Sequence, residues 1–174
     1  MIQRLTGLVC ALALAAVAAS ALPAPAMNMG SGVTITKVAG PYKLVLQLLP
    51  AEPFYTQDQY AKEHPKDGML VVGGAMPVAP DAPSHPNHHL IVHVYDVASG
   101  KADTNATVTI RYARASGASH ELPIVEMQAI GKGPQSTHYG NNLYWPNGSY
   151  TVTVTANGNT ATFTVMATSS SMKM

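Results

Sequence analysis

Histidine and methionine are the residues in this chain whose types and spacing could do chemistry. Seven histidines and nine methionines lie among 174 residues. Four of the histidines fall in His85-Pro86-Asn87-His88-His89-Leu90-Ile91-Val92-His93. In an extended strand, His89, Ile91 and His93 share one face and His88, Leu90 and Val92 the other. At about 3.3 Å per residue, His89 and His93 are roughly 13 Å apart, so one straight strand cannot bring both to a single ion. A metal site built here takes at most one of them as a primary ligand, unless the strand bulges, and needs partners from elsewhere. Glu126-Met127 and His138-Tyr139-Gly140-Asn141-Asn142 supply candidates. Imidazole with thioether is a soft, cysteine-free set suited to copper, and imidazole also serves iron. The expected ligands are His89 and His138 first, Met127 as the soft ligand, and His93 or His88 as a neighbouring donor. The competing reading makes the histidines surface or satisfied core residues and Met127 a filler of a core gap.

Other chemistries lack their residues. The single cysteine, Cys10, lies in an apolar N-terminal run, so a chain without that run has no thiol for disulfides, zinc or iron–sulfur clusters. His120-Glu121-Leu122-Pro123-Ile124 begins like a zincin motif, but Ile124 stands where the second His belongs and Pro123 forbids the helix. No G-x-S-x-G elbow occurs. Gly131-Lys132-Gly133 lacks the third glycine of a nucleotide loop. The pairs Met27-Asn28-Met29 and Met172-Lys173-Met174 hold soft sulfurs, but they sit near chain ends, where order is poorest.

The elements that must position these residues read as strands. Ser149-Tyr150-Thr151-Val152-Thr153-Val154-Thr155 and Thr160-Ala161-Thr162-Phe163-Thr164-Val165 alternate with period two around Asn157-Gly158-Asn159, a hairpin with Asn/Gly turn chemistry. Val33–Val38, Tyr42–Leu49, His88–Val97, Thr107–Tyr112 and Glu121–Val125 read as further strands. About seven short strands separated by turn signals predict a mainly β chain, an immunoglobulin-like antiparallel β-sandwich. The one helix is expected over Thr56–Glu63, with Thr56 and Gln59 as a capping box and Pro65 ending it.

Met1-Ile2-Gln3-Arg4, the apolar Leu5–Ala21 and the small residues of Ala24-Pro25-Ala26 have the layout of a cleavable secretory signal peptide over residues 1–26. Residues 27–174 then form a single domain, soluble and periplasmic or secreted, with no stable membrane insertion after cleavage. Charged residues make up only 11% of the chain, and the signs nearly balance, which removes the electrostatic footprint that nucleic acid requires.

Taken together, His88-His89-Leu90-Ile91-Val92-His93-Val94-Tyr95-Asp96, Ser99-Gly100-Lys101 and Ala106-Thr107-Val108-Thr109-Ile110 resemble the opening strands of YtkA-like domains. Leu122-Pro123-Ile124-Val125, Gly133-Pro134, His138-Tyr139-Gly140-Asn141-Asn142 and Gly148-Ser149-Tyr150-Thr151-Val152 are similar to the periplasmic high-affinity iron-transport accessory proteins. The resemblance spans roughly residues 33–167 and implies an immunoglobulin-like sandwich that binds copper and assists iron uptake beside an inner-membrane permease. It places His138 on a metal-ligand histidine. The family's Met ligand closely follows a Leu/Met-Pro pair, where this chain has Ile124, and Met127 comes three residues later. The family's His-x-Glu pair has no counterpart Glu beside His89, and a less negative site favours cuprous ion. The resulting expectation is a copper-binding (alternatively iron-binding) protein that binds and transfers without turnover, with a homodimer left open. Affinity is expected to fall as pH drops through the ordinary histidine range near ~6.5. The alternative is a non-catalytic structural or protein-interaction module that holds no metal.

Overall fold

The computed structural model describes residues 32–78, 85–115 and 117–168. The expected leader, Cys10 and both Met-x-Met pairs lie outside them.

Period-two alternation becomes strand wherever it was strongest. β1 (Val33–Ala39), β2 (Tyr42–Pro50), β5 (His88–Asp96), β6 (Val108–Arg114), β10 (Gly148–Ala156) and β11 (Asn159–Ala167) follow the expected segments closely. Between β10 and β11, Asn157 and Gly158 both take positive φ, at 48° and 81°, the geometry of a two-residue hairpin turn. The helix α1 (Gln57–Glu63) has both halves of its capping box. The Gln59 amide donates to Thr56 Oγ1 at 3.2 Å, and the Thr56 amide donates to Gln59 Oε1 at 2.9 Å. His64, in the left-handed conformation, closes the helix before Pro65.

The remaining strands are short: β3 (Phe54–Tyr55), β4 (Met69–Gly74), β7 (His120–Leu122), β8 (Val125–Ala129) and β9 (His138–Leu143). The expected strand over 121–125 is two strands, divided at Pro123-Ile124, because proline cannot donate to a ladder. The chain is thus a two-sheet β-sandwich with more strands than the expected seven. One sheet runs β1-β2-β5-β9-β8-β4-β3 and the other β11-β10-β6-β7. All pairings are antiparallel except β3 with β4.

The main core lies between the sheets. Leu44, Leu46, Leu48, Leu90, Val92 and Val94 from the larger sheet meet Ile110, Val152, Val154, Phe163 and Val165 from the smaller. Tyr139 belongs to this core, and its hydroxyl accepts from the Ala106 amide at 3.0 Å and donates to the Asp103 carbonyl at 2.9 Å. A second, smaller cluster sits on the other face of the larger sheet: Ile91, Val125 and Met127, with Leu49, Phe54, Met69 and Val71 packed around them. Both faces of β5 are therefore covered, which is why His88 to Val92 is continuously buried. Among the described residues no helix is long and apolar enough to cross a membrane.

Candidate metal centre

Strand register decides which histidines meet. β9 pairs with β5 so that Asn142 lies opposite His89, Gly140 opposite Ile91 and Tyr139 opposite Val92. On its other side, β9 pairs with β8 and sets His138 opposite Met127. Residues directly opposite in an antiparallel pair share a face. His89, His93, His138, Asn142 and Met127 consequently all project from the outer face of the larger sheet. Glu126 is opposite Tyr139 and belongs to the other face. Gly140 lets this happen: a Cβ at that position would collide with the Leu90 carbonyl oxygen, so only glycine permits β9 to lie this close to β5.

The His138 ring stands between the other two. Its centroid is 6.0 Å from that of His89, edge to face, and 5.1 Å from that of His93. Two imidazoles on one first-row ion, at metal–nitrogen distances of about 2.0–2.1 Å, have centroids roughly 5–6.4 Å apart. Both separations fall in that interval. His89, His138 and Met127 are essentially inaccessible to solvent. Phe54 closes the side of His89, with ring centroids 5.4 Å apart.

Hydrogen bonds fix which ring nitrogen carries the proton. The Asn142 side-chain amide donates to the carbonyls of Glu52 and Val78, each at 2.8 Å, so its oxygen is the atom facing His89 Nδ1 at 3.0 Å. An oxygen can only accept, and His89 Nδ1 is the donor. His138 Nδ1 likewise donates to the Ser136 carbonyl at 2.8 Å. The Nε2 atoms of His89 and His138 are left buried with no hydrogen-bond partner among the described residues, as is Nδ1 of His93. Nδ1 bonded to an oxygen and Nε2 left bare is how metal-binding histidines are usually oriented.

Burial also keeps the rings neutral. It pushes His138 down to about 3, with His93 and His89 adding repulsion and the Ser136 carbonyl opposing. It pushes His89 down to about 4, the Asn142 bond opposing. His93 is lowered by burial against a backbone hydrogen bond with Thr137. At neutral pH the bare nitrogens are therefore lone pairs. Protons would compete for these lone pairs only below the ordinary histidine range on which the expected pH dependence was based.

His88 is not brought to this cluster. It projects from the opposite face of β5, with Nδ1 2.6 Å from Asn87 Oδ1 and its ring 6.5 Å from that of Trp145. Among the described residues no three His, Cys, Asp or Glu side chains converge as a metal-holding group. The arrangement is three imidazoles on one sheet face, with His138 between His89 and His93 and a thioether in register with His138. Sequence reasoning overlooked Asn142 as the residue that orients His89, although it stands in the same run as His138. It also overlooked Phe54 and Met69, which flank the cluster.

No family model matches the chain, and neither the curated proteins nor the solved structures contain a significant match to it.

Proposed function

We propose that this protein binds one cuprous ion on the outer face of its larger sheet, through Nε2 of His89 and Nε2 of His138, with Met127 as the soft third donor and His93 adjacent. The observation carrying this reading is the pair of buried, unpartnered Nε2 atoms on rings whose Nδ1 atoms are already bonded to oxygen. Leaving such atoms bare costs about 1–3 kcal/mol each in a well-packed interior. A ligand that accepts their lone pairs removes that cost. Neutral imidazoles and a thioether compensate one positive charge better than two in a water-poor site, which favours Cu(I) over Cu(II) and over iron.

The role is binding and transfer without turnover. With the N-terminal signal pattern and the resemblance to iron-transport accessory proteins, the setting is periplasmic or secreted, and the recipient is an inner-membrane metal permease. The test is a Cu(I) titration of tag-free protein in competition with a chromophoric cuprous chelator, beside the His89→Ala/His138→Ala double variant. One equivalent bound tightly by the wild type and lost in the variant supports the reading. Absence of binding in both supports the metal-free interaction module instead.

A further inference from the structure

The outer-face cluster contains a thioether besides Met127. Met69 is the register partner of Phe54 in the parallel β3–β4 pair, so its side chain lies beside the ring that closes off His89. On its other side β4 pairs with β8, setting Val71 opposite Met127 and Met69 opposite Ala129. Met69 is thus the diagonal neighbour of Met127 on one face, about 7–8 Å away along such a diagonal and within reach of a long side chain. The two differ in exposure. Met127 is fully buried, while Met69 is half-buried and packs against the Ile91, Val125 and Met127 cluster.

We infer that Met69 is the receiving ligand for cuprous ion, the sulfur that first takes the ion from a donor and passes it inward to Met127, His138 and His89. This rests on the copper-binding reading given above. In the exchange, a Cu–Sδ bond to Met69 forms as a bond to the donor's ligand breaks. That bond then breaks as bonds to Met127 Sδ and to the two Nε2 atoms form. Copper stays Cu(I) throughout, and no proton leaves, because both Nε2 atoms already carry lone pairs. A thioether suits this task. It is neutral, so it adds nothing to the charge balance of the buried site, and it is soft and flexible enough to hold copper transiently.

The experiment is stopped-flow transfer of Cu(I) from a chromophoric cuprous chelator to the full protein, with equilibrium affinity measured on the same samples. The variants are Met69→Leu, a volume-conserving swap that keeps the packing, and Met76→Leu at an 85% exposed methionine outside the cluster. The inference predicts that Met69→Leu slows transfer at least about tenfold with affinity changed less than about threefold, while Met76→Leu changes neither. Unchanged rates in Met69→Leu, with copper still bound, overturn the inference and leave the copper reading standing. A large loss of affinity at an unchanged rate also overturns it, making Met69 a resident ligand. If the wild type binds no Cu(I), the copper reading fails and takes this inference with it.

Discussion

Asn142 Oδ1 lies 3.0 Å from His89 Nδ1, across the register pair that joins β9 to β5. The Asn142 amide nitrogen is held by the carbonyls of Glu52 and Val78, and its oxygen also accepts the Glu52 amide at 3.2 Å. One buried side chain therefore ties the segments before β3 and after β4 to the sheet, and in the same geometry sets the tautomer of His89.

Replacing it should separate those roles. Asn142→Leu leaves His89 Nδ1 and three backbone groups without partners, and a loss of about 2–4 kcal/mol in urea unfolding is expected. Cu(I) affinity should fall by roughly 10–100-fold in the variant that remains folded, the usual cost of removing the group that orients a ligating histidine. Unchanged affinity would mean that His89 needs no such support.

Stability should depend on pH in a definite direction. The native state keeps His89 and His138 neutral down to about 4 and about 3, whereas the unfolded chain protonates them near ~6.5. Between those values the unfolded state holds more protons, so stability rises with pH. The contribution is fully present above ~6.5 and is lost as pH falls toward the native values, on the order of 3–5 kcal/mol for each ring. Denaturant midpoints from pH 7 to pH 4 should drop steeply in the wild type and less in a His89→Phe/His138→Leu variant. Equal slopes would contradict buried neutral rings.

On the proposed function, the same values would set copper binding apart from ordinary surface histidine chemistry. Cu(I) affinity should be nearly flat from pH 8 to pH 5 and weaken only toward about 4, where His89 begins to take a proton. A competition titration repeated across that range checks it, and a tenfold loss already at pH 6 would rule out these two rings as the ligands.

Gly140 has no strained φ; its place depends on the close approach of two strands. Gly140→Ala should push β9 away from β5 and destabilise the protein by about 1–3 kcal/mol or more, with loss of copper binding from whatever fraction folds. Tyr139→Phe is the matching control on the other face. It strands the Ala106 amide and should cost about 1–2 kcal/mol in thermal or chemical unfolding while leaving copper affinity intact.

How much of this was legible beforehand depends on the period of each segment. The hairpin at Asn157-Gly158, the capping box of Thr56 and Gln59 and the strand carrying His89 could be read, because local pattern and final structure agree there. So could the separation of His88 from His89, since alternation alone puts them on opposite faces. β9 could not be read as a strand: His138-Tyr139-Gly140-Asn141-Asn142 has poor strand propensity, and pairing on both sides overrides it. The meeting of His138 with both His89 and His93 depends on that register, and no single-sequence periodicity encodes register between distant segments. His89 and His93 stay apart along β5 as their spacing requires, and His138, the partner expected from elsewhere in the chain, has its ring between them.

On the proposed function, Nε2 of His89 and Nε2 of His138 are bare lone pairs that take one cuprous ion. Long-range proton–nitrogen correlation spectra of uniformly ¹⁵N-labelled protein at pH 7 read this directly, before and after one equivalent of Cu(I). Without copper, both rings should show protonated Nδ1 and pyridine-like Nε2. With copper, the two Nε2 resonances should shift together, complete at one equivalent, with Nδ1 still protonated. Protonated Nε2 atoms in the copper-free protein, or Nε2 resonances that ignore the added ion, would contradict the account.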